Sequence, residues 1–244
     1  MSRLYCDPRS LAERLGRPLV LGHRGLPGDR VENRIAAFEG ALALGADGVE
    51  LDVQLSSDGV PVVCHDSRLE RTTGQPGRLS DHAAAELEAL GIPQLAAVLD
   101  ALSPEAIINI ELKAPRVRGY GLEQAVVAVL REHGAEGRVL FSSFNPWALW
   151  RVRRIDARFY AAQLSAPIGS PIFRLAYLAR PGAVHPHVSE VTPAALGAWR
   201  KQGQPVIVWG DKNVQELALV LQADVDGVIT DRPREAFQML TRWG

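Results

Sequence analysis

Short apolar runs recur along this chain, each followed by a segment of helical periodicity, and that alternation restricts the fold more than any other feature. Strand-like runs are expected at Leu19–His23, Gly48–Gln54, Pro61–His65, Ile107–Leu112, Val139–Phe144, Phe159–Leu164, Ala183–His185, Val206–Trp209 and Val228–Thr230. Helical patterns fall at Arg34–Leu44, Ala83–Leu90, Leu95–Leu102, Leu122–His133, Trp147–Ile155, Pro171–Ala179, Pro193–Gln202, Val214–Gln222 and Arg234–Leu240. Gly45, Gly134 and Gly203 follow helical segments, where a C-terminal cap needs a residue free of Cβ constraint. Strands alternating with helices build parallel sheets, because parallel neighbours need a long crossover, usually a helix.

Nine strand candidates exceed the eight of a closed parallel barrel. The second and third are joined by a short stretch with the turn signal Asp58-Gly59, too short for a crossover. They therefore read as an antiparallel hairpin, which places His65 roughly across from Glu50. Eight strand–helix units remain, predicting an α/β fold: a (β/α)₈ TIM barrel with a short hairpin excursion after the second strand. A length of 244 residues suits one such domain over residues 1–244.

Polar residues gather at the carboxyl ends of these runs, the face on which barrels carry their sites. The first ends in Gly22-His23-Arg24-Gly25. The second carries Glu50-Leu51-Asp52, whose carboxylates share one face of the strand. The hairpin ends in His65-Asp66, and Ile107–Leu112 leads into Glu111-Leu112-Lys113. Taken singly, these are a wet strand face, a surface ion pair, a turn and a strand cap. Their concentration at strand ends on one face favours a site. Glu50, Asp52 and Glu111 offer hard oxygen ligands for one divalent cation such as Ca²⁺, Mg²⁺ or Mn²⁺. Arg24 and Lys113 suit a phosphate, and His23 and His65 suit a general base and a general acid, in that order on this reading.

The same residues carry a resemblance. Leu21-Gly22-His23-Arg24-Gly25, Glu32-Asn33 ahead of a helix, and Gly48-Val49-Glu50-Leu51-Asp52-Val53 resemble the glycerophosphodiester phosphodiesterases. So do Ser57-Asp58-Gly59, the run from His65-Asp66 through Arg71-Thr72-Thr73-Gly74, Ile92-Pro93, Asn109-Ile110-Glu111-Leu112-Lys113, Ser142-Ser143-Phe144, Val184-His185-Pro186 and Gly227 through Asp231-Arg232-Pro233. The likeness runs in order from Leu19 to Pro233. It implies a TIM barrel that hydrolyses small phosphodiesters such as glycerophosphocholine to glycerol 3-phosphate and an alcohol. It implies metal ligands at Glu50, Asp52 and Glu111, catalytic histidines at His23 and His65, phosphate contacts from Arg24 and Lys113, and a substrate-lining aromatic at Trp209. His185 is implied to line the pocket, against an equal reading as a structural histidine.

Two departures from the family pattern bear on head-group preference. Arg34 stands where a threonine is usual, and Gly210-Asp211-Lys212 follows Trp209 in place of a compact neutral loop, predicting a charged and more flexible one. The segment after Gly74, where the family carries a helical insertion, is short. On the helix after Asn145, Trp147, Trp150, Arg151, Arg153 and Arg154 mix aromatics with cations as an interfacial helix does, although Trp150 packed against the barrel is the simpler expectation. Residues 167–180 read as a lid or a dimer contact, with Phe173, Leu175 and Leu178 as core.

With 27 basic and 28 acidic side chains the chain lacks the basic balance of a nucleic-acid binder. Its two cysteines, Cys6 and Cys64, have no metal or disulfide spacing. No apolar leader precedes Arg17 and no run approaches a bilayer span, so a cytoplasmic enzyme without stable membrane association is expected, and a homodimer is compatible with the sequence. The competing readings are cleavage of lysophospholipid or sphingomyelin-like substrates, and a non-catalytic barrel that binds phosphate esters.

Overall fold

In a computed structural model, which describes residues 5–165 and 182–243, the apolar runs assemble as parallel strands around a barrel. They are β1 (Leu19–Gly22), β2 (Gly48–Leu55), β4 (Ile107–Leu112), β5 (Val139–Ser143), β6 (Tyr160–Leu164), β7 (Ala183–His185), β8 (Ile207–Trp209) and β9 (Gly227–Thr230), in the spatial order β7-β6-β5-β4-β2-β1-β9-β8. Parallel bridges from Val184 to Val206 and from His187 to Trp209 join β7 to β8 and close the ring. The excursion is as expected: β3 (Pro61–Val63) pairs antiparallel with β2. Its register differs in detail. Val53 opposes Val63, and the Cys64 amide donates to the Asp52 carbonyl, so Asp66 rather than His65 comes level with Glu50.

Strand alternation sorts the side chains into two layers. Val49, Leu51 and Val53 of β2 and Ile108, Ile110 and Leu112 of β4 face outward into the main core beneath the helices. Glu50, Asp52, Asn109 and Glu111 occupy the intervening positions and so face the barrel axis. Lower in the barrel, Leu21, Ile107, Leu140, Tyr160, Ala162, Ile207 and Ile229 fill the interior. The lining is thus apolar at one end and acidic at the other.

Among the described residues the helices are α1 (Pro8–Leu15), α2 (Ile35–Ala43), α3 (Glu70–Thr73), α4 (Ala84–Ala89), α5 (Leu95–Ala101), α6 (Leu122–Glu132), α7 (Pro146–Ile155), α8 (Pro193–Lys201), α9 (Val214–Gln222) and α10 (Pro233–Trp243). Asn145, Thr192 and Asn213 cap α7, α8 and α9 through side-chain oxygens, and proline opens the first two. Phe38 of α2 is fully buried against the barrel, a placement that contributes about 1.5–3 kcal/mol for a side chain of its size. Helix α1 was not anticipated, although Asp7, Pro8 and Gly16 supply its cap, first turn and stop. Unlike the helices of the outer ring, it lies across the amino ends of the strands, where Arg9 binds the carbonyls of Gly203 and Gln204, and Cys6 and Leu11 join the inner apolar layer.

The expected helix Pro171–Ala179, with Phe173, Leu175 and Leu178, lies outside the described residues. Trp150 corrects the sequence reading: it is 48% exposed rather than packed on the barrel. Helix α7 turns Ala148, Leu149 and Val152 inward instead. The loop after Trp209 is also firmer than expected. Asp211 is buried, accepts from Thr230 Oγ1 at 3.0 Å and meets Arg232 at 3.3 Å. No helix among the described residues is long and apolar enough to cross a membrane.

Candidate active site

The turn after β1 begins the site. Arg24 adopts a left-handed backbone (φ 51°), and its amide then donates to Glu50 Oε2 at 3.0 Å while its carbonyl accepts from Asn33. Gly25 follows at φ 89°, against α2; a Cβ there would lie 2.6 Å from the Ala37 carbonyl carbon, so no larger residue fits. Asn33, also left-handed (φ 55°), donates through Nδ2 to Asp52 Oδ2 at 2.8 Å. The short turn thus anchors two carboxylates through one amide and one side chain.

Glu50, Asp52 and Glu111 each present an oxygen within 4.8 Å of the others. Oxygens sharing an ion at about 2.0–2.6 Å lie at most about 4–5 Å apart, so the spacing is compatible with one shared divalent cation of oxygen-ligand preference. Asp52 Oδ1 is 2.9 Å from Lys113 Nζ yet receives no aligned hydrogen bond, a buried acceptor left for another electropositive partner. The cluster's charge is otherwise uncomfortable. Burial, then the neighbouring Asp52 charge, pushes Glu50 up to about 8 and Glu111 up to about 7. Asp52 alone is held low, at about 2, because Lys113, His65 and Arg24 outweigh its own burial. The donor set fits a hard cation.

Both histidines are held from one side by an aspartate. His23 Nδ1 lies 2.6 Å from Asp231 Oδ1, just past β9, and its Nε2 lies 4.0 Å from Glu50 Oε2. His65 Nδ1 lies 2.7 Å from Asp66 Oδ1. The charge His65 feels most is that of Asp52, not Glu50, in keeping with the register of the hairpin. Burial depresses His65 below its ordinary value. It works against His23 too, but the Asp231 hydrogen bond and the Glu50 charge raise that ring overall. In each dyad the aspartate holds Nδ1 and not Nε2.

The two cations expected to meet phosphate already have carboxylate partners. Lys113 Nζ bridges Glu111 Oε1 (2.7 Å) and Asp52, and Arg24 contacts Glu32 at 3.0 Å and Asp52 at 3.5 Å. Trp209 lines the mouth with His23, Glu50, Glu111, Phe144 and Leu164, its ring edge-on to Phe144 at 5.8 Å. Beside it a groove of about 760 Å³ runs past His65, Lys113, Phe144 and Val117. His185 is the exception among the expected residues. Its ring is fully buried, has no hydrogen-bond partner among the described residues, and is not part of the mouth lining. Burial drives it down to about 3, so it stays neutral, while its carbonyl accepts from Trp209 Nε1 at 3.0 Å.

Sequence reasoning assigned no role to Asp231, Glu32, Asn33 or Arg71. Arg71 grips Asp66 through Nε (2.5 Å) and Glu32 through both terminal nitrogens (2.8 and 2.6 Å), and Glu32 in turn accepts from Arg24. This chain ties the hairpin tip to the β1 turn. Arg71→Ala should therefore lower kcat about tenfold with KM little changed, as loss of an outer-shell partner does. Arg71→Lys should not restore it, since an ammonium cannot hold both carboxylates as the planar fork does. Wild-type kcat in the alanine variant would refute that role.

Comparison with known proteins agrees with this geometry. Residues 23–235 match the model of the glycerophosphoryl diester phosphodiesterase family. A glycerophosphodiester phosphodiesterase of Caldanaerobacter subterraneus subsp. tengcongensis is 31% identical over 93% of this chain and 99% of its own length. The crystal structure of the glycerophosphodiester phosphodiesterase of Thermotoga maritima is 32% identical, with a TM-score of 0.76 over 91% of this chain and 98% of that one. A phosphodiesterase of Oleispira antarctica, solved in complex with its product sn-glycerol-3-phosphate, is 26% identical with a TM-score of 0.80 over 93% of this chain and 98% of that one.

Proposed function

Because the chain belongs to the glycerophosphoryl diester phosphodiesterase family, we propose that it hydrolyses small glycerophosphodiesters to glycerol 3-phosphate and an alcohol, using His23, His65 and a divalent cation held by Glu50, Asp52 and Glu111. The observation that carries this reading is the pairing of two aspartate-held histidines with a buried carboxylate triad at one barrel mouth. The cation supplies Lewis acidity, polarising a phosphoryl oxygen or acidifying a bound hydroxyl.

The protein's own groups do the rest. Arg24 and Lys113 flank the triad and would offset the phosphate charge. One histidine Nε2 accepts the proton of the attacking hydroxyl and the other donates to the departing alkoxide. The electrostatics favour the reverse of the order read from the sequence. His23, raised by its Asp231 hydrogen bond and the Glu50 charge, holds its proton to higher pH and is the ring charged and ready to donate, while the lowered His65 stays neutral and free to accept.

A groove of about 760 Å³ is of the size that holds small ligands, which supports soluble diesters as substrates. Glycerophosphocholine should be turned over faster than phosphatidylcholine, with release of choline, the alcohol common to both, as the readout. Faster cleavage of the diacyl lipid would overturn this and favour the lipid-cleaving alternative.

A further inference from the structure

Helix α7 and the loop between β4 and α6 form a cationic, aromatic face beside the mouth. Over residues 115–121 and 146–155 the sequence places Arg116, Arg118, Arg151, Arg153 and Arg154 and no acidic residue. The chain as a whole carries a net charge of -1, so this is a local concentration. Trp147, Trp150 and Arg154, spaced i, i+3 and i+7, share the outward stripe of α7. The indoles are 42% and 48% exposed and stand edge-to-face at 6.3 Å, with the Arg154 guanidinium 5.7 Å from the Trp150 ring. Val117 and Tyr120 add exposed apolar surface from the loop.

This face is preformed. Asn145 Nδ2 donates to the carbonyls of Ala114 and Arg116, both at 2.8 Å, and Arg151 donates to the Val117 carbonyl and to Glu123, both at 2.7 Å. Loop and helix are thereby locked together, while Arg116, Arg118 and Arg154 have no acidic partner among the described residues. Exposed tryptophans ringed by arginines are costly in water but suit the boundary between lipid head groups and acyl chains. Val117 and Asn145 also line the groove at the mouth, so the face and the site are continuous.

We propose that this face docks the protein reversibly on a bilayer carrying anionic lipid, with Trp147 and Trp150 at head-group depth and the arginines against lipid phosphates. Charge decides between occupants. A symmetric contact with a second copy would set two such arginine clusters against each other, whereas an anionic surface neutralises one. Docking requires no spanning segment, and it would set the groove at the mouth beside the bilayer surface. The inference rests on the face itself and not on the catalytic assignment.

Flotation with vesicles tests it without turnover. The protein should bind vesicles containing phosphatidylglycerol but not pure phosphatidylcholine, with a blue shift of tryptophan emission, and rising salt should release it. The triple variant Arg116→Glu, Arg118→Glu, Arg154→Glu should bind about 10²-fold more weakly, each basic group near such a surface being worth roughly fivefold. Trp150→Ala should bind more weakly and lose the blue shift. Unchanged melting temperatures, with unchanged activity on soluble diester, show that the variants are folded. Absence of binding to anionic vesicles at low salt overturns the proposal, as does binding that the triple variant retains. A dimer dissolved by Trp150→Ala, or variant-sensitive binding to polyglutamate in place of vesicles, reassigns the face to a second copy or to an acidic protein.

Discussion

Stripped of divalent cations, the protein should lose turnover entirely and regain it when Ca²⁺, Mg²⁺ or Mn²⁺ is returned one at a time. The expectation follows from three inward carboxylates: burial first, then the neighbouring Asp52 charge, makes Glu50 and Glu111 hold their protons into the neutral range with no cation between them. An ion must displace those protons, so its affinity rises with pH through that range. Stability provides a second readout. With Glu50 raised to about 8 by burial and by Asp52, the native state binds more protons than the unfolded chain between the ordinary carboxylate range and about pH 8. Stability of the cation-free protein therefore falls as pH rises across that window. Added cation should reverse the loss and raise the melting temperature most at the upper end. Glu50→Gln removes the repulsion and a ligand together. The cation-free variant should melt higher than wild type near pH 8, yet bind the ion at least ~10–100-fold more weakly. Full activity after exhaustive chelation, with no cation effect on melting, would sink the metal assignment.

The second large effect belongs to the histidines. Removing His23 or His65 should cost ~10²–10⁴-fold on glycerophosphocholine, the usual span for general acid–base catalysis, and the wild-type rate should be bell-shaped in pH. The two variants should part on an aryl diester, whose leaving group needs little protonation. With His23 as donor, His23→Ala recovers most of its activity on the aryl substrate and His65→Ala does not. The opposite pattern restores the order first read from the sequence. If neither variant is rescued, proton donation comes from another group and the two-histidine mechanism fails. Asp231→Asn separates these cases further. It leaves the His23 ring in place but removes the charge that raises it, so the basic limb of the pH profile should move to lower pH.

Much of this was legible in the sequence for a physical reason. Period-2 alternation puts Glu50 and Asp52 on one face of β2, and Glu111 on the face of β4 opposite the apolar Ile108, Ile110 and Leu112, whatever the fold, and Asp58-Gly59 dictates the hairpin that makes β3 an excursion. Side-chain caps at Asn145, Thr192 and Asn213 fix where helices begin, because unpaired amides there need a local acceptor. Such signals are short in range, and so they survive without knowledge of the tertiary structure.

Contacts that depend on closure were not legible. Asp231 reaches His23 across 208 residues only because the barrel seats β9 beside β1, and neither segment carries a local mark of the other. Arg71 meets Glu32 for the same reason, once the hairpin tip folds over the β1 turn. Exposure was likewise a tertiary matter. Composition alone sends Trp150 inward, but the helical phase set by Ala148, Leu149 and Val152 turns it to solvent, while His185, at the end of β7, is fully buried with neither ring nitrogen partnered among the described residues. The sequence by itself determined which residues share a strand face and where each element starts. Only the closed barrel decided which of them touch, because burial and long-range pairing depend on neighbours that the chain brings together last.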